Sequence, residues 1–537
     1  MQTTTRATIV IATLLLVLLA LAPAALSQVN VTTYHNDNSR TGQNTNETKL
    51  TPSNVRPASF EKLFTGSVSL DSWASAQPLY IAGLQIAGVT HNVVYVATLN
   101  NSVYAFDADS GAELWMRNYG VPTPYTRLCN DSGFESSPSL GAGIVGTPVI
   151  DPVAGTMFLV AKTGTGTSTS PYALYLHAIN ITNGNEQTGS PVLITPTTGP
   201  QFYPEYQMNR PALLLNNGTV YVGLGSTGCV GLKGFPQINN HGWVLGYSES
   251  NLTQPPLTFV TTPSKNNGGI WQSGGGLVAD SNGNIYFGTA DATFDEFTGG
   301  SDFGDSVIEL EPNLNPLDFF TPYNQGTLNA DDLEVGSVGP VLLPVQSVGP
   351  ANLLVASGKT EEIYLLNTDN MGGYCSTCTT TNTNIVQDIQ RPSYLTGCLP
   401  PASGPTTCRY GALSYWNNTV YVPGENAPLM AYALRNGTLS TTPLRSPIAY
   451  GGVGSPSISA ANTSSGIAWV VTWGAPPANN GTLRAFNAVT LQQLYSSDMA
   501  SGGRDTLGQV AHFVTPTVTN GKVYVATKTQ LVVYGLF

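Results

Sequence analysis

Short runs of hydrophobic and β-branched residues, each ended by a turn rich in Asn, Asp or Gly, recur along the whole chain. Each run contains an apolar triplet, and the triplets are spaced by about 60 residues on average, near the period range that marks solenoids, propellers and arrays. The triplets occupy positions 94–96, 157–159, 220–222, 285–287, 353–355, 420–422, 468–470 and 523–525. A unit of this size cannot bury a core alone, so the pattern predicts units that pack against one another.

The first repeat shows the unit most fully. Positions 93–98 predict an inner strand and 102–107 the next strand, and a turn at 108–111 leads into an outer strand that begins at position 114. Runs of β-branched and aromatic residues bounded by such turns are typical of β-hairpins. Several repeats open on a proline, which needs no ladder partner at the first position of a strand and is therefore expected to begin an innermost strand. These prolines are Pro148, Pro211, Pro340, Pro456 and Pro516.

The last repeat ends with the strand at 531–536 and has no outer strand of its own. Residues 60–64 near the N-terminus form a run that can supply this strand. Such pairing closes a ring and removes an exposed sheet edge, whereas a stacked solenoid would need capping repeats, and none is apparent. The sequence therefore predicts an all-β fold, an eight-bladed β-propeller of four-stranded antiparallel blades whose ring is closed by an N-terminal strand.

Composition supports one folded domain over residues 28–537. The chain has 57 Gly and 37 Pro, only 10% charged residues and 41% hydrophobic residues, which suits many short strands joined by turns. The formal net charge is −12, and no Lys/Arg cluster stands out. A nucleic-acid partner is not expected, because proteins that bind nucleic acids usually carry a basic patch. The same lack of clustered Lys and Arg argues against binding to anionic lipid.

Residues 1–27 are expected to be a signal peptide. Arg6 supplies the positive charge, positions 9–21 are almost wholly apolar, and Ala25-Leu26-Ser27 is a small-x-small cleavage site. The apolar run is short for a membrane span, although an uncleaved anchor remains an alternative. The mature chain has no second run of spanning length, so it is expected to be secreted or periplasmic with no transmembrane segment.

The six cysteines are predicted to form disulfides, because an even count in an exported chain favours them over zinc. Cys375, Cys378, Cys398 and Cys408 are expected to pair within one loop region. Cys129 and Cys229 are expected to pair with each other. Thr379 follows Cys378, so the C-x-x-C-H haem attachment motif is absent there.

Positions 105–115 read Ala-Phe-Asp-Ala-Asp-Ser-Gly-Ala-Glu-Leu-Trp. This stretch fits the A-x-D-x-x-x-G-x-x-x-W blade motif, and the chain resembles the quinoprotein alcohol dehydrogenase-like propellers, which have eight blades. The enzymes of that superfamily hold pyrroloquinoline quinone and Ca²⁺ on the propeller axis, and its non-enzymes use the same ring as an assembly platform. Because one fold serves both roles, the resemblance implies a fold and leaves the function open.

Five residues resemble the cofactor site of the enzymes. Trp271, in a Gly-Gly-x-Trp stretch, resembles the Trp that forms the floor under the quinone, and its alternative is a Trp of a blade core. Asp291 resembles an Asn that ligates the metal, and its alternative is a solvated turn. Lys359 resembles a cation that contacts the quinone oxygens. Asp331 and Asp332 resemble the stretch that supplies the catalytic base, which takes the alcohol proton as hydride leaves for the quinone.

The chain also departs from the enzymes' pattern. Positions 223–229 hold no acid where the resemblance would put a Glu ligand of Ca²⁺, and there is no vicinal Cys pair. The leading hypothesis is therefore an exported binding or scaffolding module with a relic or repurposed axial pocket. The alternative is a pyrroloquinoline quinone- and Ca²⁺-dependent alcohol or sugar dehydrogenase. A third hypothesis is a carbohydrate-binding surface protein, since the chain has 25 Tyr and 7 Trp. The partner, a protein, a carbohydrate or a small molecule, is not determined by the sequence.

Overall fold

A computed structural model describes residues 28–124, 141–226, 240–390, 411–474 and 480–537 of the chain. The predicted signal peptide lies outside the described residues, as do Cys129, Cys229, Cys398 and Cys408. Within them the fold is almost entirely β, with one short α-helix, α1 (Gln325–Asp331). Single turns of 3-10 helix cover Pro204–Tyr206, Gln272–Gly274, Glu296–Thr298, Val335–Ser337 and Ser501–Gly503.

The first half of the described chain contains strands β1 to β19. In chain order they are β1 Gln43–Asn44, β2 Phe60–Thr65, β3 Leu79–Ile86, β4 Val89–Ala97, β5 Ser102–Asp107, β6 Glu113–Asn118, β7 Val149–Asp151, β8 Thr156–Thr163, β9 Ala173–Asn180, β10 Val192–Leu193, β11 Gln207–Met208, β12 Leu214–Asn216, β13 Thr219–Ser226, β14 Trp243–Ser248, β15 Leu257–Val260, β16 Val278–Ala279, β17 Ile285–Gly288, β18 Val307–Leu310 and β19 Pro316–Thr321.

The second half contains strands β20 to β38. They are β20 Val341–Leu342, β21 Leu353–Ser357, β22 Ile363–Asn367, β23 Gly373–Tyr374, β24 Gln387–Ile389, β25 Ser414–Trp416, β26 Thr419–Val422, β27 Met430–Arg435, β28 Thr438–Leu439, β29 Leu444–Arg445, β30 Gly452–Val453, β31 Ser457–Ala461, β32 Ser464–Trp473, β33 Asn480–Asn487, β34 Gln493–Ser496, β35 Gly508–Gln509, β36 Thr517–Thr519, β37 Lys522–Ala526 and β38 Leu531–Leu536.

These strands form eight sheets, and each sheet is built on an antiparallel meander of four strands. The meanders, numbered here as sheets 1 to 8, are β3–β6, β7–β10, β12–β15, β16–β19, β20–β22 with β24, β25–β28, β31–β34, and β36–β38 with β2. Short accessory strands extend four of them; for example, β23 adds to β19 in parallel. Every apolar triplet found in the sequence lies in the second strand of its sheet, so the repeat did identify the structural unit. The architecture is that of a β-propeller.

The strand predicted to complete the last sheet is present. β2 pairs antiparallel with β38, with Phe60 opposite Leu536 and Thr65 opposite Val532. The N-terminal part of the chain therefore supplies the outer strand of sheet 8, as the sequence predicted.

Each triplet is apolar at all of its positions because both faces of its strand are buried between neighbouring sheets. Tyr95 packs in an apolar cluster with Met157 of sheet 2, whereas its neighbour Val94 packs in a cluster with Tyr524 of sheet 8. Successive side chains of a strand point to opposite faces, so a strand between two packed sheets needs apolar residues at every position.

Residues 29–46 cross the inner edges of the eight sheets, and we call them the N-terminal strap. Backbone or side-chain groups of the strap hydrogen-bond to the first strand of each of the eight sheets in turn. The partners, from sheet 1 to sheet 8, are Tyr80, Ile150, Leu215, Ala279, Leu342, Tyr415, Ile458 and Val518. The strap therefore satisfies polar groups that the inner edges would otherwise leave unpaired.

Arg40 anchors the strap and is only 1% exposed. Its Nε donates to Leu277 O at 3.0 Å and its guanidinium nitrogens donate to Leu213 O at 3.0 Å and to Tyr34 O at 2.9 Å. Burial lowers the pKa of Arg40 to about 10, so the side chain remains charged at neutral pH. A charged guanidinium thus bonds to carbonyls from sheets 3 and 4 and to the strap itself.

Cys375 and Cys378, predicted to lie in disulfides, are bonded to each other. No helix within the described residues is long and apolar enough to cross a membrane.

Candidate functional site

The predicted site residues sit in connections that leave sheets 3 to 5 at the same edge. Asp291 follows β17 and Lys359 follows β21, in the loops between the second and third strands. Trp271 and Asp332 lie in the links that lead from a fourth strand to the next first strand. Because strands alternate in direction, these loops and links emerge at one edge of the sheets, which we call the upper edge.

Three carboxylates meet at this upper edge. Asp291, Asp332 and Glu334 each place one oxygen within 4.8 Å of the others, an arrangement that could hold a metal ion. The Nζ atom of Lys359 lies 2.6 Å from Asp332 Oδ1 and 2.6 Å from Glu334 Oε2. The Lys359 and Glu334 side chains are largely buried, with 15% and 9% exposed, whereas the Asp332 side chain is 43% exposed. We call these four residues together with Asp305 the acidic cluster.

Asp305 is the fifth member and is fully buried. It stands at the end of the loop that begins with Asp291, and its backbone N–H donates to Ala290 O at 3.1 Å. Gln325 of α1 donates to Asp305 Oδ2 at 3.0 Å. The residue has a φ of 50°, in the left-handed region that Asp and Asn adopt more readily than most other non-glycine residues. This backbone conformation places a second buried carboxylate beside Asp291.

Glycines allow the backbones of the cluster to approach closely. A Cβ at Gly336 would lie 2.4 Å from Thr289 C, and a Cβ at Gly358 would lie 2.6 Å from Glu334 O. At the same points Gly336 N–H donates to Thr289 O at 2.9 Å and Lys359 N–H donates to Glu334 O at 3.2 Å. A side chain at either glycine would push apart the segments that carry the carboxylates and the lysine.

The carboxylates raise one another's pKa values. Burial, then the charges of Glu334, Asp305 and Asp332, holds the pKa of Asp291 far above its usual range. Burial and the charge of Glu334 raise the pKa of Asp305 well above its usual range. Burial raises the pKa of Glu334 to about 7, even though Lys359 opposes this shift. The raised pKa values show that negative charge is crowded in a buried place, and a bound cation would relieve this crowding.

Asp332 and Lys359 behave in the opposite way because they pair. Burial would raise the pKa of Asp332, but Lys359 outweighs it and the pKa is lowered. Burial would lower the pKa of Lys359, but Glu334 and Asp332 outweigh it and the pKa is raised. Asp332 therefore carries its charge at neutral pH and is the most exposed acid of the cluster.

Trp271 reaches the same edge by a different contact. Gly268 N–H donates to Asp291 O at 3.1 Å, and Ala290 N–H donates to Gly269 O at 2.9 Å, so the segment that leads into Trp271 runs beside Asp291. The indole is half-buried and lies against Gly225, where a Cβ would come within 2.8 Å of the ring. It also packs on an apolar cluster that includes Trp73 and Met208. The indole is thus outside the apolar cores between sheets.

Sequence reasoning named part of this site and missed part of it. Asp291, Asp332 and Lys359 meet in the acidic cluster, and Trp271 lies on the adjoining segment. Asp331 is exposed at the last residue of α1 and is not among the three carboxylates that lie within 4.8 Å of one another. Glu334 and Asp305 were missed. No spacing in the sequence marked Glu334, because Asp332 has a left-handed φ of 56° and residues 332–334 do not form a strand.

The acidic cluster predicts a pH-dependent stability for the protein without added cation. Glu334 binds its proton more tightly in the folded chain, where its pKa is about 7, than in the unfolded chain, where it is 4.5. The free energy of unfolding is therefore expected to fall as the pH rises from 4.5 through about 7. Chemical denaturation measured across this pH range checks the trend. In Glu334→Gln the fall should be smaller, and an equal fall in that variant would contradict the assignment.

Comparisons with known proteins address the fold. No protein-family model matches the sequence, and a comparison with curated proteins finds no match. Solved structures match over nearly the whole chain. A quinohemoprotein alcohol dehydrogenase from Comamonas testosteroni is 14% identical with a TM-score of 0.62, and the match covers 96% of this chain and 81% of that one. A quinohemoprotein alcohol dehydrogenase from Pseudomonas putida HK5 gives the same identity, TM-score and coverage.

A third structure, a europium-containing methanol dehydrogenase, is 12% identical with a TM-score of 0.61, and the match covers 94% of this chain and 98% of that chain. The TM-scores establish a common fold, but sequence identities this low do not transfer the roles of individual residues. Together with the repeated four-stranded meanders, they show that this chain has the β-propeller fold of the quinoprotein alcohol dehydrogenases.

Proposed function

We propose that this protein is an exported, cation-dependent quinoprotein dehydrogenase that oxidises an alcohol or a sugar. The observation that carries the proposal is the acidic cluster, in which Asp291, Asp332 and Glu334 converge beside Lys359. The proposal includes a closed ring of eight blades, supported by the pairing of β2 with β38. Export to a secreted or periplasmic location is supported by the Cys375–Cys378 disulfide, since such bonds persist in oxidising compartments.

The donor set suits a hard cation such as Ca²⁺ or a lanthanide ion. These ions prefer carboxylate and carbonyl oxygens, and Ca²⁺ binds six to eight of them at about 2.3–2.6 Å. Asp291 Oδ1 is buried, and within the described residues no donor hydrogen-bonds to it. The polar neighbours of the Asp291 side chain are the carboxyl groups of Asp305 and Asp332. A buried polar atom without a partner calls for an explanation such as an ion. Asp291 and Glu334 would hold the cation, with Asp305 behind them and Lys359 offsetting part of the negative charge.

The residues around the cluster also fit a planar quinone. The half-buried indole of Trp271 offers an aromatic surface, and Lys359 places a cation where quinone oxygens could meet it. Pyrroloquinoline quinone, when bound, supplies a two-electron acceptor for hydride. Positions 223–229 hold no acid, but Glu334 and Asp305 bring two further carboxylates to the cluster.

The chain's own part in the reaction is to orient the substrate and accept its proton. Asp332 is charged at neutral pH, more exposed than the other acids of the cluster, and held in place by Lys359 at 2.6 Å. Being ionised and accessible, Asp332 would take the proton of a substrate hydroxyl as hydride leaves the substrate carbon, even though its lowered pKa makes it a weaker base than Glu334. Asp291 and Glu334, which are more buried, would hold the cation, and a bound cation would polarise the substrate oxygen.

A dye-linked dehydrogenase assay tests this assignment. Protein reconstituted with pyrroloquinoline quinone and Ca²⁺ or La³⁺ is expected to oxidise one class of primary alcohols or sugars. Asp332→Asn should lower kcat by about 10²–10⁴-fold, the usual contribution of a general base. Asp331→Asn, which changes the exposed neighbouring acid, is the matched control and should retain activity. Equal activity of Asp332→Asn and wild type would contradict the role of Asp332.

The second candidate is a binding or scaffolding module, which the absence of an acid at positions 223–229 favours. In that case the cation would shape a pocket for a partner or ligand, with no turnover. The same reconstituted protein separates the two candidates. Bound quinone and cation without oxidation of any alcohol or sugar would support the binding module.

A further inference from the structure

Three consecutive residues after Trp271 adopt left-handed backbone conformations. The φ angles are 54° for Gln272, 49° for Ser273 and 81° for Gly274. Glycine tolerates this region, but for L-residues such as Gln and Ser it is sterically unfavourable. In the described links between sheets, this is the one place where two non-glycine residues in a row have a positive φ. Strain of this kind persists only where the surroundings impose it, and it concentrates at functional sites.

The surroundings that impose the turn are specific hydrogen bonds. Gly275 N–H donates to Gln272 O at 2.7 Å and closes the turn. Ser273 Oγ donates to Ser337 O at 2.5 Å. The Gln272 amide, in the orientation that satisfies both of its atoms, donates to Gly276 O at 3.0 Å and accepts from Gly288 N–H at 3.2 Å. Gln272 is fully buried and Ser273 is 7% exposed, so these bonds are shielded from water.

The two side-chain contacts lead to the two segments that carry the carboxylates. Ser337 follows Glu334 by three residues, and the 3-10 turn at Val335–Ser337 lies between them. Gly288 ends β17, three residues before Asp291. The turn therefore follows Trp271 directly in the chain and is hydrogen-bonded to the two segments that carry Asp291 and Glu334.

We propose that the left-handed turn Gln272–Gly274 is a positioning device that fixes the indole of Trp271 in register with the acidic cluster. Gln272 and Ser273 are positioning residues: they act through Trp271, Asp291 and Glu334. The inference rests on the proposed function, because its purpose is to align an aromatic surface with a bound cation so that one planar ligand can meet both. A turn that merely joined two strands would need neither the buried amide nor the Ser273 hydroxyl.

Tb³⁺ luminescence measures this alignment directly. Tb³⁺ is a hard cation suited to the carboxylates, and its emission is sensitised by a nearby indole, whereas direct excitation of Tb³⁺ reports binding alone. Trp271→Phe in the full chain identifies the part of the sensitised emission that depends on Trp271. Gln272→Gly and Ser273→Gly are the test variants, since glycine keeps the left-handed backbone accessible and removes only the side-chain contacts. Asn217→Gly, at an exposed turn with a φ of 50°, is the matched control.

The expected result is that Gln272→Gly and Ser273→Gly lose the Trp271-dependent emission, keep directly excited Tb³⁺ emission and melt cooperatively. Asn217→Gly should match wild type in all three measurements. If wild type binds Tb³⁺ with Trp271-dependent emission and the two variants retain it, the positioning inference is overturned and the cation site stands. If wild type binds no Tb³⁺, the cation site itself fails, and the inference fails with it.

Discussion

Deleting residues 28–48 is expected to prevent the chain from folding into a stable monomer. The deletion removes the N-terminal strap, which hydrogen-bonds to the first strand of each of the eight sheets. The inner edges would then present unpaired N–H and C=O groups, and such edges either stay solvated in an open structure or pair with other chains. Size-exclusion chromatography and thermal unfolding followed by circular dichroism check this, with aggregation or a non-cooperative transition as the expected outcome.

A point substitution tests how much Arg40, which anchors the strap, contributes to stability apart from the rest of the strap. Arg40→Met leaves Leu213 O, Leu277 O and Tyr34 O without their donor, and an unsatisfied buried carbonyl costs about 1–3 kcal/mol. The free energy of unfolding should therefore drop by about 3 kcal/mol or more. Arg56→Met, at an exposed position, is the control and should leave stability almost unchanged. A truncated or Arg40→Met protein as stable as wild type would show that the strap is dispensable.

The second large effect is stabilisation by a cation. A ligand that binds only the folded chain raises the free energy of unfolding by about 2.7 kcal/mol when its free concentration is about 100 times Kd. Ca²⁺ or La³⁺ is therefore expected to raise the midpoint of thermal unfolding at pH 7.5. The gain should exceed that from the same ionic strength of NaCl, because screening alone supplies no specific ligand.

Removing one carboxylate should abolish most of this gain. Glu334→Gln and Asp291→Asn each remove one negatively charged oxygen ligand. Affinity for the cation should fall by at least about 10-fold, because replacing a residue that only supports a metal ligand already costs about that much. Asp331→Asn keeps the acidic cluster intact and is the matched control. Differential scanning calorimetry with and without cation makes the comparison, and equal stabilisation of Glu334→Gln and Asp331→Asn would contradict the assignment of Glu334.

The fold was predictable because its signal is local. An apolar triplet such as 94–96 is buried on both faces between neighbouring sheets, so every position must be hydrophobic and the run is visible in the sequence. The outer strand of sheet 8 was predictable for a similar reason, since the last repeat lacked a strand and residues 60–64 were available. The strap gave no such signal, because six of its eight contacts with the first strands are made by its backbone and only Asn38 and Asn44 use side chains.

The site was predictable where a stretch of sequence resembled a known motif. Asp291 and Lys359 lie three and two residues after β17 and β21, whereas Trp271 and Asp332 were located by resemblance within links between sheets. Glu334 and Asp305 enter the cluster through tertiary features: the close backbone approach at Gly336 and Gly358, and the left-handed conformation of Asp305. Neither feature leaves a pattern in one sequence. The expectation of a site short of one carboxylate was drawn from positions 223–229 alone, and these two acids change that picture.

A crystal structure of the protein grown or soaked with a lanthanide ion, with anomalous diffraction data, tests the cation site most directly. The account predicts one strong anomalous peak coordinated by oxygens of Asp291 and Glu334 and near Asp332, at about 2.3–2.6 Å from its ligands. Lys359 should remain within contact of Asp332. An acidic cluster without a peak at millimolar ion, or an ion bound only elsewhere on the molecule, would contradict the account.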